Sequence, residues 1–268
     1  MKYLKWYLKL CFIFLKMSAK SMISYYRWSY LAIYVSHIFQ YLSVYIVIWA
    51  TMQMFNMLDG FGINEIVFLY SLDLLSYSIA QFIFQRFWWI DESISDGTFD
   101  EYLIRPVSPF LLFIGKNAHF GYLGHITVSM VVLMVSITQM GISINFVLLL
   151  IMIAGAVMIQ SAITIIPACL AFVFIKADQL SSMFRIEVRQ YIMYPITIYP
   201  GFVKVALTVI VPMAFINYYP AVYLLGKEAN ILFYDYIPVM VVFVGLLSVG
   251  ISAAFWKFGL KSYKSSGS

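Results

Sequence analysis

Charged residues are scarce in this sequence. Only 11% of its 268 residues are Asp, Glu, Lys or Arg, whereas 63% are hydrophobic. A soluble domain carries about 25% charged residues, so this chain has too few to cover a surface that faces water. The composition excludes an ordinary soluble domain. The net charge of +5 does not indicate a nucleic-acid partner, because the basic residues are grouped between long apolar stretches.

Residues for redox, metal or covalent chemistry are also few. The two cysteines, Cys11 and Cys169, are expected at a membrane surface and inside an apolar stretch, so they cannot form a disulfide. His37, His119 and His125 lack metal-ligand spacing and are expected to be packed or hydrogen-bonded. The sequence has no G-x-x-x-x-G-K-[ST], G-x-S-x-G or H-E-x-x-H pattern. We therefore expect neither an enzyme nor a metal site, and no cofactor bound by this chain.

Long stretches without charge are the main positive feature. No charged residue lies between Arg27 and Asp59, and none lies between Lys116 and Lys176. A membrane-spanning helix needs about 20 apolar residues, so the second stretch holds two helices with a turn at 141–145. The sequence predicts an all-α integral membrane protein with six transmembrane helices between residues 29 and 256. They are expected at 29–55, 66–90, 118–140, 146–175, 191–213 and 237–256.

Basic residues are distributed unevenly between the two ends of these spans. If the spans alternate, 15 of the 17 Lys and Arg residues fall on one side, only Lys227 falls on the other, and Lys204 lies within a span. Positively charged loops stay in the cytoplasm. We therefore expect a multi-pass protein of the cell membrane with both termini, including the tail 257–268, in the cytoplasm.

The first 28 residues combine basic and apolar side chains. Lys9, Lys16 and Lys20 interrupt any apolar core of a signal peptide. On a helix, the basic residues of this segment fall within an arc of about 60°. This pattern predicts that residues 1–28 form an amphipathic helix on the inner leaflet, in contact with membrane lipids. The alternative is an irregular, positively charged tail.

The segment 91–109, after the second span, carries a pattern of its own. Phe99, Tyr102 and Leu103 are spaced i, i+3, i+4, so a short helix ending before Pro106 would present one apolar stripe. An exposed apolar stripe needs a partner. Because the loop also carries five acidic residues, the anionic inner leaflet is unfavourable. The pattern therefore favours a protein partner.

The same segment resembles the coupling segment of type 2 ABC-transporter permeases, which has a G-T-[LF]-[DE]-x-L-L-x-x-P-V-S pattern followed by Gly-Lys. The matching residues are Gly97, Thr98, Phe99, Asp100, Leu103, Pro106, Val107, Ser108, Gly115 and Lys116. Tyr102 replaces the first of the paired leucines. Segments 194–200 and 211–220 resemble the fifth helix and following segment of the drug- and antibiotic-export branch of that family.

The resemblance implies the membrane subunit of an ABC exporter. Such a permease forms half of the translocation pathway together with a second, identical or paralogous, permease chain. It couples to ABC ATPase subunits on separate chains, which bind the ATP and Mg²⁺. Carried over by position, the coupling helix comprises Glu92 and residues 97–106, and its docking side chains are Phe99, Tyr102 and Leu103.

The resemblance also implies a re-entrant outer segment between the fifth and sixth helices. Residues 213–226 fit this expectation because they are apolar, are broken by Pro212 and Pro220, and are too short for another crossing. The alternative is a surface loop with interfacial tyrosines. The residues expected at an outer gate are Asn217, Tyr218 and Tyr219.

Two charged residues fall within predicted spans. Asp73 lies 13 residues from Arg86, and Lys204 lies 15 residues from Arg189. At about 1.5 Å per residue, both are about 20 Å from the cytoplasmic end. An unpaired charge at that depth is costly, so we hypothesise that Asp73 and Lys204 face each other or a shared cavity. The alternative is that each reaches to the outer interface.

Other function classes fit less well. A secondary transporter without an ATPase typically has internal repeats and intramembrane ion ligands, but no repeat is visible and Asp73 is the only acid within a span. A membrane-embedded enzyme needs a reactive cluster, and none is visible. A non-transporting sensor or immunity subunit of an ABC complex stays open, because it would have the same coupling loop.

Overall fold

The computed structural model describes most of the predicted membrane domain. The described residues are 13–14, 16–17, 19–20, 24, 27–55, 57–58, 60–116, 118–174, 182–183, 187, 189–227 and 233–263. Most of the predicted amphipathic helix at 1–28, and the tail beyond residue 263, lie outside them. In the described part of the chain the regular structure is helical, and Leu58 and Phe61 form an isolated antiparallel bridge.

Ten α-helices occur in the described ranges. They are α1 (Arg27–Met54), α2 (Ile63–Phe84), α3 (Ile90–Ser95), α4 (Asp100–Leu103), α5 (Pro109–Lys116), α6 (Leu123–Met140), α7 (Phe146–Cys169), α8 (Gly201–Val205), α9 (Tyr218–Leu224) and α10 (Ile237–Ser262). Short 3-10 segments join or extend them, at Gln85–Trp89, Phe120–Tyr122, Leu170–Phe172, Ile196–Ile198, Met213–Phe215 and Tyr234–Tyr236.

Five helical segments are long and apolar enough to cross a membrane. They are Leu31–Met54, Ile63–Ser95, Phe120–Met140, Phe146–Phe172 and Tyr234–Ser262. These correspond to the first four predicted spans and the sixth. The predicted turn at 141–145 is present, with Gly141 at φ +64° and the Asn145 side chain capping α7. The prediction of an all-α multi-pass membrane fold is confirmed.

The fifth crossing differs from the straight span predicted at 191–213. The backbone there becomes α-helical only from Gly201, after a short 3-10 turn at Ile196–Ile198. Two helical pieces follow, Gly201–Ile210 and Met213–Leu224, which are bent by 74° relative to each other. The reason lies in the prolines: a proline fixes φ and lacks an N–H, so Pro200 precedes the start of one piece and Pro212 separates the two. The second piece, Met213–Leu224, lies where the re-entrant outer segment 213–226 was expected.

The spans are buried to very different extents. In the most apolar part of the span that contains α2, 72% of the residues are buried. In the most apolar part of α1, only 6% are buried. Close packing of α7 and α10 depends on two glycines: a Cβ on Gly155 would lie 2.8 Å from the Val241 side chain, and one on Gly245 would lie 2.9 Å from the Gly155 carbonyl oxygen. Small residues allow membrane helices to approach closely in this way. The result is a bundle with α2 at its centre and α1 at its edge.

Candidate functional site

The segment between α2 and α6 folds into a compact platform at one end of the bundle, which we call the loop end. A 3-10 segment, Gln85–Trp89, continues α2 into α3. Gly97 then adopts φ +70°, a left-handed turn that suits glycine. The Phe99 N–H donates to the Ser93 carbonyl oxygen over 2.8 Å and so folds the chain back on α3. The sharp turn that Gly97 permits is therefore present, and α4 follows it.

Phe99 points into the protein. Its side chain is 0% exposed, and its ring centroid lies 5.1 Å from that of Phe172, 5.4 Å from that of Tyr263 and 6.2 Å from that of Trp256. The prediction that Phe99 is an exposed docking side chain was therefore wrong. The physical reason is that α4 begins at Asp100, so Phe99 belongs to the turn that folds inward and not to the outer face of the short helix.

The exposed apolar surface of the platform lies further along, at a tip that we define as residues 103–106. The Ile104 side chain is 82% exposed and the Leu103 side chain 41% exposed, and the rest of the tip is exposed as well. Tyr102 is half-buried behind the tip, and the Lys116 Nζ lies 5.3 Å from the centre of its ring. The tip therefore presents two aliphatic side chains from a packed base.

Two acidic residues of the platform form ion pairs with neighbouring basic residues. Glu92 pairs with Arg86 over 3.8 Å and Glu101 pairs with Lys116 over 3.6 Å. Exposed pairs of this kind contribute about 0–1 kcal/mol, so they orient side chains more than they stabilise the fold. They also neutralise part of the acidic charge that the sequence places beside the tip.

The end of α10 is tied to the same platform. The Tyr263 hydroxyl donates to the Asp100 carboxylate over 2.7 Å. Partial burial and the neighbouring Asp100 carboxylate raise the pKa of Tyr263 to about 12, so the hydroxyl remains a donor at neutral pH. The last residues of the sixth span and the first turn of α4 are thereby held together.

A second polar assembly lies inside the bundle. Asp73 is 0% exposed and accepts two hydrogen bonds, one from Arg189 Nη2 over 3.0 Å and one from Gln160 Nε2 over 2.8 Å. The Arg189 guanidinium carbon also lies 3.3 Å from the centre of the Tyr77 ring. Asp73 thus forms an ion pair with Arg189.

This partner differs from the hypothesis, which paired Asp73 with Lys204. Lys204 is half-buried on α8, and no ion pair between it and Asp73 occurs among the described residues. Residues 189–213 do not form the one straight helix on which the expected depth of Lys204 was based. Because the backbone is not helical through most of 191–200, Arg189 is not at the far end of a long helix and reaches the Asp73 carboxylate.

The hydrogen bonds continue from Asp73 towards the platform. Gln160 lies one helical turn before Thr164, whose hydroxyl accepts from Gln81 Nε2 over 2.7 Å. Gln81 in turn accepts from Trp88 Nε1 over 2.8 Å. We call this assembly the polar chain; it consists of Trp88, Gln81, Thr164, Gln160, Asp73 and Arg189. Of these residues only Asp73 was predicted as a site residue, although two polar residues one turn apart in the apolar fourth span, Gln160 and Thr164, were a usable signal.

The residues expected at an outer gate are mostly buried. Asn217 is 2% exposed and donates through Nδ2 to the Ile192 carbonyl oxygen over 2.7 Å, and Tyr218 is 6% exposed. Tyr219 is half-buried. Near the end of this segment, Lys227 Nζ lies 2.6 Å from Glu65 Oε2 at the start of α2. We call residues 201–227 the bent segment. It is joined to the 189–200 backbone through Asn217 and to α2 through Lys227.

The histidines pack as rings. His125 is 3% exposed, and its ring centroid lies 4.1 Å from those of His37 and Tyr41. Within the described residues no group of three or more His, Cys, Asp or Glu side chains is arranged to hold a metal ion. Cys169 is a buried free thiol.

Comparison with known proteins decides the family. A family model described as ABC-2 family transporter protein matches residues 11–267, nearly the whole chain. The chain belongs to the ABC-2 transporter family. No curated protein and no solved structure matches it. The resemblance seen in the sequence is thus confirmed: the protein is a membrane permease of an ABC transport system, a subunit that is not itself catalytic, and its family implies ABC ATPase partners.

Proposed function

We propose that this permease forms half of an ATP-driven export pathway and that its tip, residues 103–106, docks on a separate ATPase subunit. The second half is another permease chain, identical or paralogous. ATP and Mg²⁺ are bound by the ATPase. Both termini and the loop end lie in the cytoplasm of a cell membrane, as the distribution of basic residues favours.

The observation that carries this proposal is the exposure of Ile104 on a well-packed base. Its side chain is 82% exposed, although Phe99, five residues earlier, is fully buried. Exposed aliphatic side chains on a rigid support are suited to insertion into a partner's pocket, where a few buried residues dominate binding. Leu103 therefore keeps the docking role that was expected from the sequence, and Ile104 takes the role that was expected of Phe99.

The geometry supports a route by which docking reaches the membrane domain. The base of the platform includes Phe99, which contacts Phe172 after α7 and Trp256 on α10. Trp88, at the start of the platform, begins the polar chain that reaches Asp73 in α2. A displacement of the tip is thereby passed to three spans, as expected for coupling through packed, hydrogen-bonded elements.

Two other parts of the protein, α1 and the bent segment, have roles in this assembly. The open face of α1, 6% buried in its apolar window, is available to the second permease chain and to membrane lipids. The bent segment with Asn217, Tyr218 and Tyr219 closes the outer end of the pathway. Because it is held by Lys227 on Glu65, a movement of α2 would act on it directly.

Co-purification with a co-expressed ABC ATPase subunit from the same genome tests the docking role. We expect the wild type to retain the ATPase and Ile104→Asp to lose it, because a carboxylate at the tip would have to be desolvated in an apolar pocket. Ser143→Asp is the matched control, since it adds the same charge at an exposed position in the 141–145 turn. Ile104→Leu keeps the apolar character and should keep the ATPase.

Two outcomes would contradict the proposal. If Ile104→Asp retained the ATPase as well as the control, the tip would not be the docking site. If the folded, membrane-inserted wild type retained no ATPase at all, coupling to a separate ATPase would be excluded for this chain. A non-transporting subunit would instead retain the ATPase and fail a transport assay.

A further inference from the structure

An apolar groove lies on the side of the bundle, and none of the residues of the tip or of the polar chain lines it. It is formed between α5, α7 and α10 and has a volume of about 570 Å³, within the range of about 300–1,000 Å³ typical of sites for small organic molecules. Its walls include Phe84, Phe110, Met158, Ile165, Val249 and Trp256. Nothing in the function proposed above requires this groove.

Two of the serines that line the groove, Ser161 and Ser252, already have hydrogen-bond acceptors within the protein. The Ser161 hydroxyl donates to the Val157 carbonyl oxygen over 2.7 Å, and the Ser252 hydroxyl donates to the Val249 carbonyl oxygen over 2.9 Å. Both hydroxyls are therefore hydrogen-bonded to backbone carbonyl groups of their own helices, a usual arrangement in membrane spans. The groove therefore presents hydrocarbon along most of its length, and its occupant must be hydrocarbon there as well.

The length of the groove matches one leaflet. Along α10 it extends from Val249, near the middle of the span Tyr234–Ser262, to Leu260 at the loop end. At a rise of 1.5 Å per residue this is about 16 Å, and half of a bilayer's hydrocarbon core is about 15 Å. A groove that begins at mid-membrane and ends at the interface has the dimensions of an acyl chain in the leaflet at the loop end.

The charge at its open end selects the headgroup. Lys257 lines the groove where it reaches the loop end, and Lys261 lies one helical turn further along α10. Both lysines are exposed, and neither takes part in an ion pair among the residues that the structure describes. Basic residues beside a groove between spans are suited to a lipid phosphate. The groove thus combines an apolar trough with a cationic end.

We propose that this groove is a binding site for an anionic phospholipid, with one acyl chain between α5, α7 and α10 and the phosphate at Lys257. The site joins the platform, through Phe110 on α5, to the ends of the fourth and sixth spans. A lipid held there fills a space that would otherwise leave these three helices without contact on one side.

Competitive lipid retention tests the site. The delipidated, detergent-solubilised full chain is mixed with equal amounts of phosphatidylglycerol and phosphatidylcholine, and bound lipid is counted by native mass spectrometry. We expect preferential retention of one phosphatidylglycerol per chain. Ala253→Phe, which fills the groove, should abolish it, whereas Ala254→Phe, the same change at the next exposed position outside the groove, should not.

The charge requirement has its own variants. Lys257→Gln should reduce the preference for phosphatidylglycerol about fivefold, in line with the contribution of one lysine near an anionic lipid, and Lys257→Arg should keep it. Equal retention of both lipids by the wild type, or no difference between Ala253→Phe and Ala254→Phe, would overturn the proposal. Loss of self-association in Ala253→Phe with unchanged lipid retention would assign the groove to a second copy of the chain instead.

A second measurement does not depend on the folding of a groove-filling variant. Trp256 lines the groove, so phosphatidylglycerol with brominated acyl chains should quench its fluorescence. The part of the quenching that is lost in Trp256→Phe reports this residue alone. This Trp256-specific quenching by brominated phosphatidylglycerol should exceed the Trp256-specific quenching by brominated phosphatidylcholine. Quenching of Trp256 to the same extent by both lipids would mean ordinary contact with the bilayer and no site.

Discussion

At the scale of single residues, Asp73 is a charged side chain inside a membrane-spanning helix. It is completely buried, and it is held by Arg189 at 3.0 Å and Gln160 at 2.8 Å. Removing two charges from water is costly, and a buried pair repays this cost only when both partners are in place. The pair is therefore poor as a source of net stability but very sensitive to the loss of one member.

This sensitivity gives a prediction. Arg189→Ala should destabilise the solubilised protein by about 3–5 kcal/mol, because it leaves the fully buried Asp73 carboxylate without its partner. Asp73→Ala should cost less, because the Arg189 side chain that it leaves unpaired is 21% exposed. The double variant should cost less than the sum of the two single variants. Thermal unfolding followed by intrinsic fluorescence measures all three.

Lys204 provides the control for the comparison of the Asp73 and Arg189 single and double variants. Lys204→Gln combined with Asp73→Ala should give additive changes, since residues without shared contacts do not couple. Additivity between Asp73 and Arg189, or strong coupling between Asp73 and Lys204, would contradict the pairing.

The sequence showed that Asp73 needs a partner, but it could not identify that partner. The free-energy cost of placing a charge inside the membrane follows from the residue type and from its position along a helix. The sequence gives both directly. Which basic residue pairs with Asp73 depends on how the chain bends between 189 and 200. Pro195 and Pro200 indicate that the helix is interrupted there, but they do not give the direction in which the chain continues. For the same reason Gln81 and Gln160 could be recognised as polar residues in apolar spans, but not as members of one hydrogen-bonded chain.

At the scale of elements, the platform is stabilised by aromatic packing. Phe99 lies at its centre, in contact with rings from α5, from the end of α7 and from α10. Such ring pairs contribute about 0.5–1.5 kcal/mol beyond the area that they bury. The platform should therefore hold its shape in the absence of a partner, and one side chain should account for much of that rigidity.

Phe99→Ala tests this. We expect it to destabilise the platform by about 3–5 kcal/mol, the usual cost of removing a buried phenylalanine, and to increase protease cleavage between α3 and α5. Leu103→Ala is the control on the same short loop, where the side chain is 41% exposed and the cost should be small. If both variants melted alike and were cleaved alike, Phe99 would not be the anchor.

Periodicity predicted a short helix with Phe99, Tyr102 and Leu103 on one face, and it could not tell which face is covered. A stripe at i, i+3, i+4 is equally compatible with exposure to a partner and with burial against the chain's own α5 and α10. Gly97 correctly indicated a sharp turn. What the sequence could not give is that this turn directs Phe99 inward and moves the exposed surface to Ile104.

At the scale of the whole molecule, the order and limits of the spans were the most predictable feature. Gaps between charged residues locate apolar stretches of the required length, because the bilayer sets that length. The broken fifth crossing was the exception, since the loss of two backbone donors at Pro200 and Pro212 outweighs apolarity there. Orientation across the membrane rests on a different property, the distribution of lysine and arginine.

That orientation predicts which side each end of the bundle faces, and cysteine labelling in a background without Cys11 and Cys169 measures it. Ser143 in the turn before α7 and Ser95 at the end of α3 are both exposed and lie at opposite ends of the bundle, so Ser143→Cys and Ser95→Cys are a matched pair. With both termini inside, a membrane-impermeant maleimide should label Ser143→Cys on intact cells, and should label Ser95→Cys only after permeabilisation. The reverse pattern would place the tip outside, where no ATP-bound partner could reach it, and would exclude coupling through residues 103–106.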